Sequence, residues 1–380
     1  METEYEINLE SNKKPNLLIY STTANETRNA IFMHYLSDYF NILVVTKSPV
    51  NYKALLLSKP AIIKAQKFIF KKKVGFGFTP FIGKIARSWK PNIIFSLESH
   101  SFSSYQSIKI AKKLEAMSVI FTWQNVKTIP KLRIQKILQK TILKKSHFLI
   151  AGSIDSKNYL VCKGASPNKI YIVPESGYDG RIFSPQGNSF RNIWNYDSTD
   201  FIVLFSGRLI TEKGVEIILK VAKRLELNYK CIKFAFVGSG PLKNKVKNSG
   251  LSNVKYHGSY DFMDMGKVMR SCDLFIYPSI STIYWVEQFG YAPIEAAACG
   301  KPVIVSNSGT LKFFIDNENN GTVISEGSLE FLELAIISWF EKWKSKGINT
   351  DLKSIKKYSA SEIAKTYAQI LLYRKNKVQN

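Results

Sequence analysis

Two carboxylates eight positions apart, Glu287 and Glu295, could accept hydrogen bonds from the hydroxyl groups of a sugar. An apolar run ending at Tyr277 predicts a strand before them. Pro293 indicates a helix start, where its missing N–H would be unpaired anyway, and Gly300 indicates the helix end. The N-terminus of such a helix favours an anion such as a diphosphate. The stretch therefore predicts a ligand pocket, although a helix cap or a surface charge would equally explain either carboxylate alone.

Basic and glycine-rich loops follow two other predicted strands. Arg208 and Lys213 form a Gly-Arg-x-x-x-x-Lys-Gly turn after the apolar run 201–205. The guanidinium fork suits phosphate oxygens, and lysine adds a point charge. Gly238 and Gly240 end another apolar run and would let the backbone approach a ligand closely. Because parallel strands end at one edge of a sheet, we expect these loops to converge with the carboxylate stretch on a nucleoside diphosphate that carries a sugar.

The elements that must position these residues alternate between strand and helix along the whole chain. Apolar runs such as 17–20 and 42–46 predict buried parallel strands, and helical spacing separates them. This pattern favours α/β architecture with two doubly wound domains. Turn-forming residues cluster near 185–198. We therefore predict an N-terminal domain at 1–185, a second domain at 186–355, and a last helix in 356–380 that crosses back to the first domain.

The second half resembles the retaining nucleotide-sugar glycosyltransferases of family 4, also called glycosyl transferases group 1. Its Gly207-Arg208 with Lys213-Gly214, and its Glu287 to Glu295 spacing followed by Cys299-Gly300-Lys301-Pro302-Val303, are similar to that family's motifs. The resemblance implies a GT-B fold, in which two Rossmann-like domains face each other across a cleft. It also implies metal-independent transfer with retention, with Glu287 near the sugar and Glu295 on the ribose. The implied catalytic residues are Glu287, Arg208 and Lys213, and the implied donor-binding residues are Gly207, Arg208, Lys213, Gly238, Gly240, Phe289, Gly290 and Glu295.

The first half resembles the family less closely. Its first strand-to-helix loop, residues 21–27, has no glycine, and Gln124 and Asn125 stand where many members carry a histidine. Leu97-Glu98-Ser99-His100 is the other loop expected at the cleft. We therefore assign Glu98, His100, Gln124 and Asn125 as candidates on the acceptor side.

The net charge of +25 predicts anionic partners. Residues 1–185 carry 28 basic against 11 acidic residues, and no acidic residue lies between Asp38 and Glu98. That interval mixes lysines with aromatic residues, and a second acid-free segment runs through 127–145, so we expect peripheral contact with an anionic membrane. Four scattered cysteines, no signal peptide and no long apolar run predict a cytoplasmic protein, either free or on the inner face of the cytoplasmic membrane.

The sequence thus predicts an enzyme of glycan biosynthesis that moves a hexose-type sugar from a UDP- or GDP-sugar to a glycan or a lipid-linked acceptor. No metal or cofactor is expected, since no metal-binding spacing is visible. A nucleotide-sugar epimerase or a phosphorylase on the same fold is an alternative. Nucleic-acid binding is a third, motivated by charge alone, because no recognised nucleic-acid motif is present.

Overall fold

The computed structural model describes residues 14–20, 27–46, 81–126, 132–315, 319–348 and 350–379, and the backbone of 62–65. Most of the loop 21–27, the N-terminal part of 127–145 and much of the aromatic, basic interval after Asp38 lie outside these residues. The chain divides into two compact units: Met1–Gly177 with Ala360–Asn380, and Tyr178–Ser359.

The first unit is built on a parallel sheet with seven strands among the described residues, in the order β3-β2-β1-β4-β5-β6-β7. Its strands are short apolar runs. Such runs are typical of a parallel sheet, because helices cover both of its faces and bury the strands. They are β1 Asn16–Tyr20, β2 Asn41–Thr46, β3 Ile62–Ala65, β4 Ile93–Leu97, β5 Met117–Thr122, β6 Phe148–Ala151 and β7 Ile170–Ile172. The helices between them are α1 Thr27–Leu36, α2 Ile82–Trp89, α3 Phe102–Lys113, α4 Arg133–Lys145 and α5 Ile154–Cys162.

The second unit repeats this plan with a parallel sheet of six described strands, in the order β10-β9-β8-β11-β12-β13. The strands are β8 Phe201–Ser206, β9 Ile232–Val237, β10 Val254–Tyr256, β11 Leu274–Tyr277, β12 Val303–Ser306 and β13 Gly321–Ile324. The helices are α6 Val215–Leu225, α7 Lys243–Lys247, α8 Met265–Arg270, α9 Tyr291–Ala298, α10 Leu329–Lys346 and α11 Lys353–Lys356. In both units the strand order reverses beside the first strand, which is the point where open α/β sheets bind ligands.

The last helix, α12 Ala360–Gln379, lies in the first unit. Its Tyr367 is 1% exposed and packs edge-on against Phe32 of α1 and Phe95 of β4. Helices α1 and α12 therefore cover one face of the first sheet. A separate set of buried side chains joins α2, α3 and α4 to the other face.

The division of the chain falls at Gly177/Tyr178, which is earlier than the position 185/186 that turn-rich composition had suggested. The reason is packing. Phe183 is buried against Phe262, with ring centroids 5.7 Å apart, and the Arg270 guanidinium donates to the carbonyls of Ile182 and Ser184. These contacts fix the turn-rich segment to the second unit. The return to the first unit likewise comes at Ala360 and not at 356.

Helix α9 begins at Tyr291, so Pro293 lies in its first turn, as predicted. Gly290 precedes the helix with φ of 76°. Proline is accommodated at the third position because the first four N–H groups of a helix have no partner within the helix. The predicted end at Gly300 is confirmed: Cys299 caps the helix, and Gly300 follows in the left-handed conformation with φ of 75°.

Candidate functional site

A buried ion pair lies at the point of strand-order reversal in the second unit. Lys213 follows β8 and is 5% exposed, Glu287 follows β11 and is 7% exposed, and the Lys213 ammonium contacts the Glu287 carboxylate directly. Ser279 Oγ donates to the same carboxylate oxygen at 3.0 Å. The ammonium also lies 4.6 Å from the ring centroid of Tyr277 and 4.8 Å from that of Trp285. Burial lowers the pKa of Lys213, and the Glu287 charge offsets part of that effect.

Arg208 lies beside this pair in a different environment. Its side chain is exposed, and no ion pair or hydrogen bond joins it to any residue that the structure describes. Its positive charge is close enough to contribute to lowering the pKa of Lys213. A guanidinium that is near a second cation and bound to nothing in the described chain is available to an anionic ligand.

The predicted glycines Gly238 and Gly240 allow the backbones of two loops to contact each other directly. Leu209 N–H donates to the Ser239 carbonyl at 2.8 Å, so the loop after β8 runs along the loop after β9. Gly238 has φ of 129°, and a Cβ atom there would lie 1.9 Å from the Gly207 carbonyl oxygen. Gly240 is equally confined, since a Cβ atom would lie 2.5 Å from the Leu209 carbonyl. Only glycine allows this approach, which fixes the loop that carries Arg208.

The remaining predicted donor residues shape the loop and the helix after β11. Glu295 lies in the second turn of α9 and is 3% exposed. The Phe289 ring is 4% exposed and packs edge-on against Tyr291 and Phe314, with centroids 4.9 and 5.2 Å away. The aromatic side chain is therefore part of the core, and together with Gly290 it sets the course of the backbone into α9.

The four acceptor-side candidates lie in the first unit, after β4 and β5. Glu98 adopts the left-handed conformation, with φ of 69°, directly after β4. Thr122 Oγ1 donates to its carboxylate at 2.8 Å, and His100 Nδ1 lies 3.9 Å from the same oxygen. Burial raises the pKa of Glu98, an effect that the hydrogen bonds from Thr122 and from the Trp123 backbone reduce. Burial lowers the pKa of His100. Both shifts favour neutral side chains.

A buried polar network that the sequence analysis missed holds Gln124. Gln124 is 6% exposed, and its Oε1 accepts from Ser99 Oγ at 2.7 Å and from Gln139 Nε2 at 2.9 Å. Gln139 Nε2 also donates to Tyr159 OH at 3.1 Å. The only sequence signal was a polar Gln139 between the apolar Leu138 and Ile142 of α4. Among the described residues, Gln124 Nε2, Asn125 Nδ2 and His100 Nδ1 have no hydrogen-bond partner.

A small cavity of about 30 Å³ lies at the same edge of the first sheet. Its apolar wall includes Ile19, Phe32 and Phe95. Glu175 supplies a polar wall: its carboxylate accepts from Trp123 Nε1 at 2.8 Å and from Asn29 Nδ2 at 3.3 Å. The point of strand-order reversal in the first unit thus combines apolar surface with carboxylates and amides.

No group of three or more metal-ligating side chains occurs within the part of the chain that the structure describes. None of the described helices combines the length and the apolar character that a membrane span requires. All four cysteines are free thiols, with Cys272 and Cys299 buried and Cys162 exposed.

Two Rossmann-like units with parallel sheets define the GT-B class of architecture. The Anabaena protein HepE, solved in complex with UDP, has a TM-score of 0.75 to this chain at 17% identity, covering 94% of this chain and 100% of its own. Other structures of HepE contain UDP with glucose, or UDP-glucose. At this identity the likeness establishes the fold, which confirms the predicted GT-B class.

Residues 188–359 match the family model of the glycosyl transferases group 1, which supports membership of that family. An uncharacterised glycosyltransferase of Methanocaldococcus jannaschii is 30% identical over 138 residues, or 35% of this chain and 36% of its own. The D-inositol 3-phosphate glycosyltransferase of Paenarthrobacter aurescens is 28% identical over 171 residues, or 42% of this chain and 40% of its own. In both cases the match covers well under half of the relative's own length.

Proposed function

We propose that this protein is a glycosyltransferase that moves a sugar from a nucleoside-diphosphate donor, bound by the second unit, to an acceptor bound by the first. The observation that carries the proposal is the exposed Arg208 beside the buried Lys213–Glu287 pair, at the point where the strand order of the second sheet reverses. The family match over 188–359 supports the same assignment.

The donor diphosphate is proposed to bind at Arg208, where an exposed guanidinium can donate two parallel hydrogen bonds to phosphate oxygens. The positive charge of Arg208 and Lys213 would stabilise the leaving diphosphate, as a metal ion does elsewhere. UDP is the first nucleotide to test because the structural neighbour HepE was solved with UDP and UDP-glucose. Glu295 is proposed to bind the ribose and Glu287 the sugar.

The reaction is proposed to retain the configuration of the anomeric carbon, without a metal or a cofactor. This part rests on the resemblance of the Glu287 to Glu295 stretch to family 4. In the proposed complex, the Glu287 carboxylate would accept a hydrogen bond from a sugar hydroxyl while it contacts the Lys213 ammonium. The anomeric configuration of the product, measured by proton NMR, tests retention directly.

The acceptor is proposed to be a glycan or a lipid-linked sugar bound at Glu98, His100, Gln124 and Asn125. Support comes from their unpaired amide and imidazole nitrogens, which can donate to or accept from hydroxyl groups. The neutral states that burial favours for Glu98 and His100 also suit an uncharged, hydroxyl-bearing substrate.

Ligand-dependent thermal stability is the direct test of the donor. A donor at a hundred times its dissociation constant should stabilise the chain by about 2.7 kcal/mol. UDP-glucose and GDP-mannose would be compared with UDP, GDP and ATP. Release of nucleoside diphosphate only in the presence of an acceptor would distinguish transfer from epimerisation.

Arg208→Ala provides the matched test of the site. Loss of one charged hydrogen-bond donor to the leaving group should raise the activation free energy by about 3 kcal/mol, which reduces turnover roughly a hundredfold or more. The free energy of unfolding should stay unchanged because the side chain is exposed. Arg224→Ala, which removes a surface arginine paired with Glu333, is the control. Normal turnover in Arg208→Ala would contradict the assigned role of this residue.

A further inference from the structure

Helix α4 has an exposed face that is both cationic and apolar. Arg133, Lys136, Ile137, Lys140 and Lys144 are all exposed, and their spacing places them on one continuous side of the helix. Ile137 is 55% exposed and lies at the centre of this face. Ile134, at its edge, is 48% exposed. The opposite side, with Leu138, Ile142 and Leu143, is buried against the sheet.

The charges of this face are not neutralised within the described chain. Helix α4 contains no acidic residue, and none of its five basic side chains forms an ion pair with any described residue. Helices α2 and α3 cover the same face of the sheet, and they add the exposed cations Lys84, Arg87, Lys109, Lys112 and Lys113. The outer surface of this helix layer is therefore a broad cationic field around two exposed isoleucines.

Helix α10 of the second unit shows that exposed apolar residues alone do not produce such a face. Phe331 and Leu334 are 55% and 62% exposed, comparable to the isoleucines of α4. Their neighbours on α10 include Glu330 and Glu333, which lie within ion-pair distance of Arg224. An anionic surface would be attracted to α4 and not to this part of α10.

We propose that the exposed face of α4 docks the first unit onto an anionic lipid surface. The lysines and the arginine would lie at the level of the lipid phosphates, and Ile134 and Ile137 would enter the headgroup region. Basic residues mixed with apolar ones on one side of a helix are typical of interfacial binding. This inference goes beyond sugar transfer and does not depend on it.

Co-sedimentation of the full-length chain with vesicles tests the proposal. Vesicles of phosphatidylcholine with phosphatidylglycerol should bind the chain at low salt, and pure phosphatidylcholine should bind it weakly. Replacing Lys136, Lys140 and Lys144 by Gln should weaken binding by roughly fivefold per residue, on the order of a hundredfold in total. The double variant Ile134→Gln, Ile137→Gln leaves every charge of the chain in place, and it should also weaken binding to the anionic vesicles.

Matched controls are available in the second unit. Lys220, Lys223 and Lys230 are exposed, so their replacement by Gln removes the same charge from another surface. Phe331→Gln with Leu334→Gln removes comparable exposed apolar area. Both controls should bind vesicles within a fewfold of the unchanged chain. All substitutions are at exposed positions, and unchanged thermal stability would verify that each variant is folded.

Three outcomes would overturn the proposal. The first is no binding to anionic vesicles at low salt. The second is equal weakening by the α4 and the control lysine substitutions, which would indicate diffuse charge attraction. The third is binding to a mixed-sequence RNA with no binding to vesicles. The thermal shift with UDP-glucose, measured on the same variants, should be unaffected, so failure of the docking proposal and failure of the donor proposal would be distinguished.

Discussion

The two units share one strand order, but they present different chemistry where that order reverses. In the second unit the edge carries the exposed Arg208 and the buried Lys213–Glu287 pair. In the first unit it carries Glu98, with a raised pKa, and a network of neutral side chains around Gln124. Topology determines where a ligand can bind, and side chains determine which ligand it is. The difference suits an anionic leaving group on one unit and hydroxyl groups on the other.

The two edges also satisfy their buried polar groups differently. The second unit neutralises a buried ammonium with a buried carboxylate, so these two buried charges are matched within the unit, whereas the exposed Arg208 forms no ion pair with any residue that the structure describes. At its edge the first unit has three buried side-chain nitrogens, on His100, Gln124 and Asn125, without a hydrogen-bond partner among the described residues. An unpaired buried donor is costly, which makes such groups candidates for contact with a ligand.

Substitution of Glu287 is expected to have the largest effect on stability. Glu287→Gln keeps the size of the side chain but leaves the Lys213 ammonium buried without its counter-charge. The free energy of unfolding should fall by about 3 to 5 kcal/mol, because removing one partner of a buried pair leaves an uncompensated charge. Urea unfolding of the full chain measures the loss.

Two further variants decide whether the buried pair is the cause. Glu333→Gln breaks the more exposed pair with Arg224 and should cost no more than about 1 kcal/mol. The double variant Lys213→Met, Glu287→Leu should recover most of the stability, since an apolar pair of similar size can replace a buried ion pair. Equal losses in Glu287→Gln and Glu333→Gln would show that the second edge is not built on a buried charge pair.

The stability of the second unit should also depend on pH through a residue away from the edge where its strand order reverses. His257 stacks on Trp194 with ring centroids 4.1 Å apart, and its Nε2 lies 3.0 Å from Tyr196 OH. Burial, with a smaller contribution from Lys255, lowers the pKa of His257 to about 4. The unfolded chain binds this proton near pH 6.5, before the folded chain does, so the contribution to stability is present above pH 6.5 and is lost as pH falls towards 4.

The expected loss over this pH range is about 1 to 2 kcal/mol, because the ring is only partly buried and solvent screens part of the shift. Thermal unfolding between pH 7 and pH 4 measures it, with His257→Gln as the reference, since glutamine does not titrate. If His257→Gln showed the same fall in stability from pH 6.5 to pH 4, another group would be responsible.

Much of the second unit could be predicted from the sequence because its signals are local. Apolar runs marked the strands, and Gly300 marked the end of α9. The Glu287 to Glu295 spacing and the Gly-Arg turn are contiguous motifs, and the structure places Arg208, Lys213 and Glu287 near each other. The direct contact between Lys213 and Glu287 could not be predicted, because the two residues are 74 positions apart and their pairing depends on how the strands are ordered.

Several features of the first unit could not be predicted from the sequence. Gln139 lies on the apolar side of α4, and its bond to Gln124 is made only when α4 packs beside β5. The left-handed conformation of Glu98 has no sequence signal, because glycine and asparagine are the residues that usually indicate it. Composition also placed the division of the chain too late, since the residues at 178–184 are fixed to the second unit by packing and not by their turn propensity.

The backbone of Glu98 gives the smallest and most specific test of the comparison. Glu98→Ala and Glu98→Gly both remove the carboxylate and its bond from Thr122, so the difference between the two variants isolates the cost of the left-handed conformation. Glycine adopts φ of 69° without a Cβ clash, so Glu98→Gly should be more stable than Glu98→Ala by about 1 kcal/mol. Urea unfolding of the two variants measures the difference.

Lys112, an exposed residue within α3, provides the opposite control. The variant Lys112→Ala should be more stable to unfolding than Lys112→Gly by about 1 kcal/mol, because glycine loses more backbone freedom in a helix. Equal stability of Glu98→Ala and Glu98→Gly would mean that the turn after β4 relaxes when its carboxylate is removed. Three results together would indicate that the strained backbone at Glu98 serves ligand binding rather than stability. Glu98→Gly would be more stable than Glu98→Ala, both variants would keep the thermal shift with UDP-glucose, and both would lose acceptor-dependent turnover.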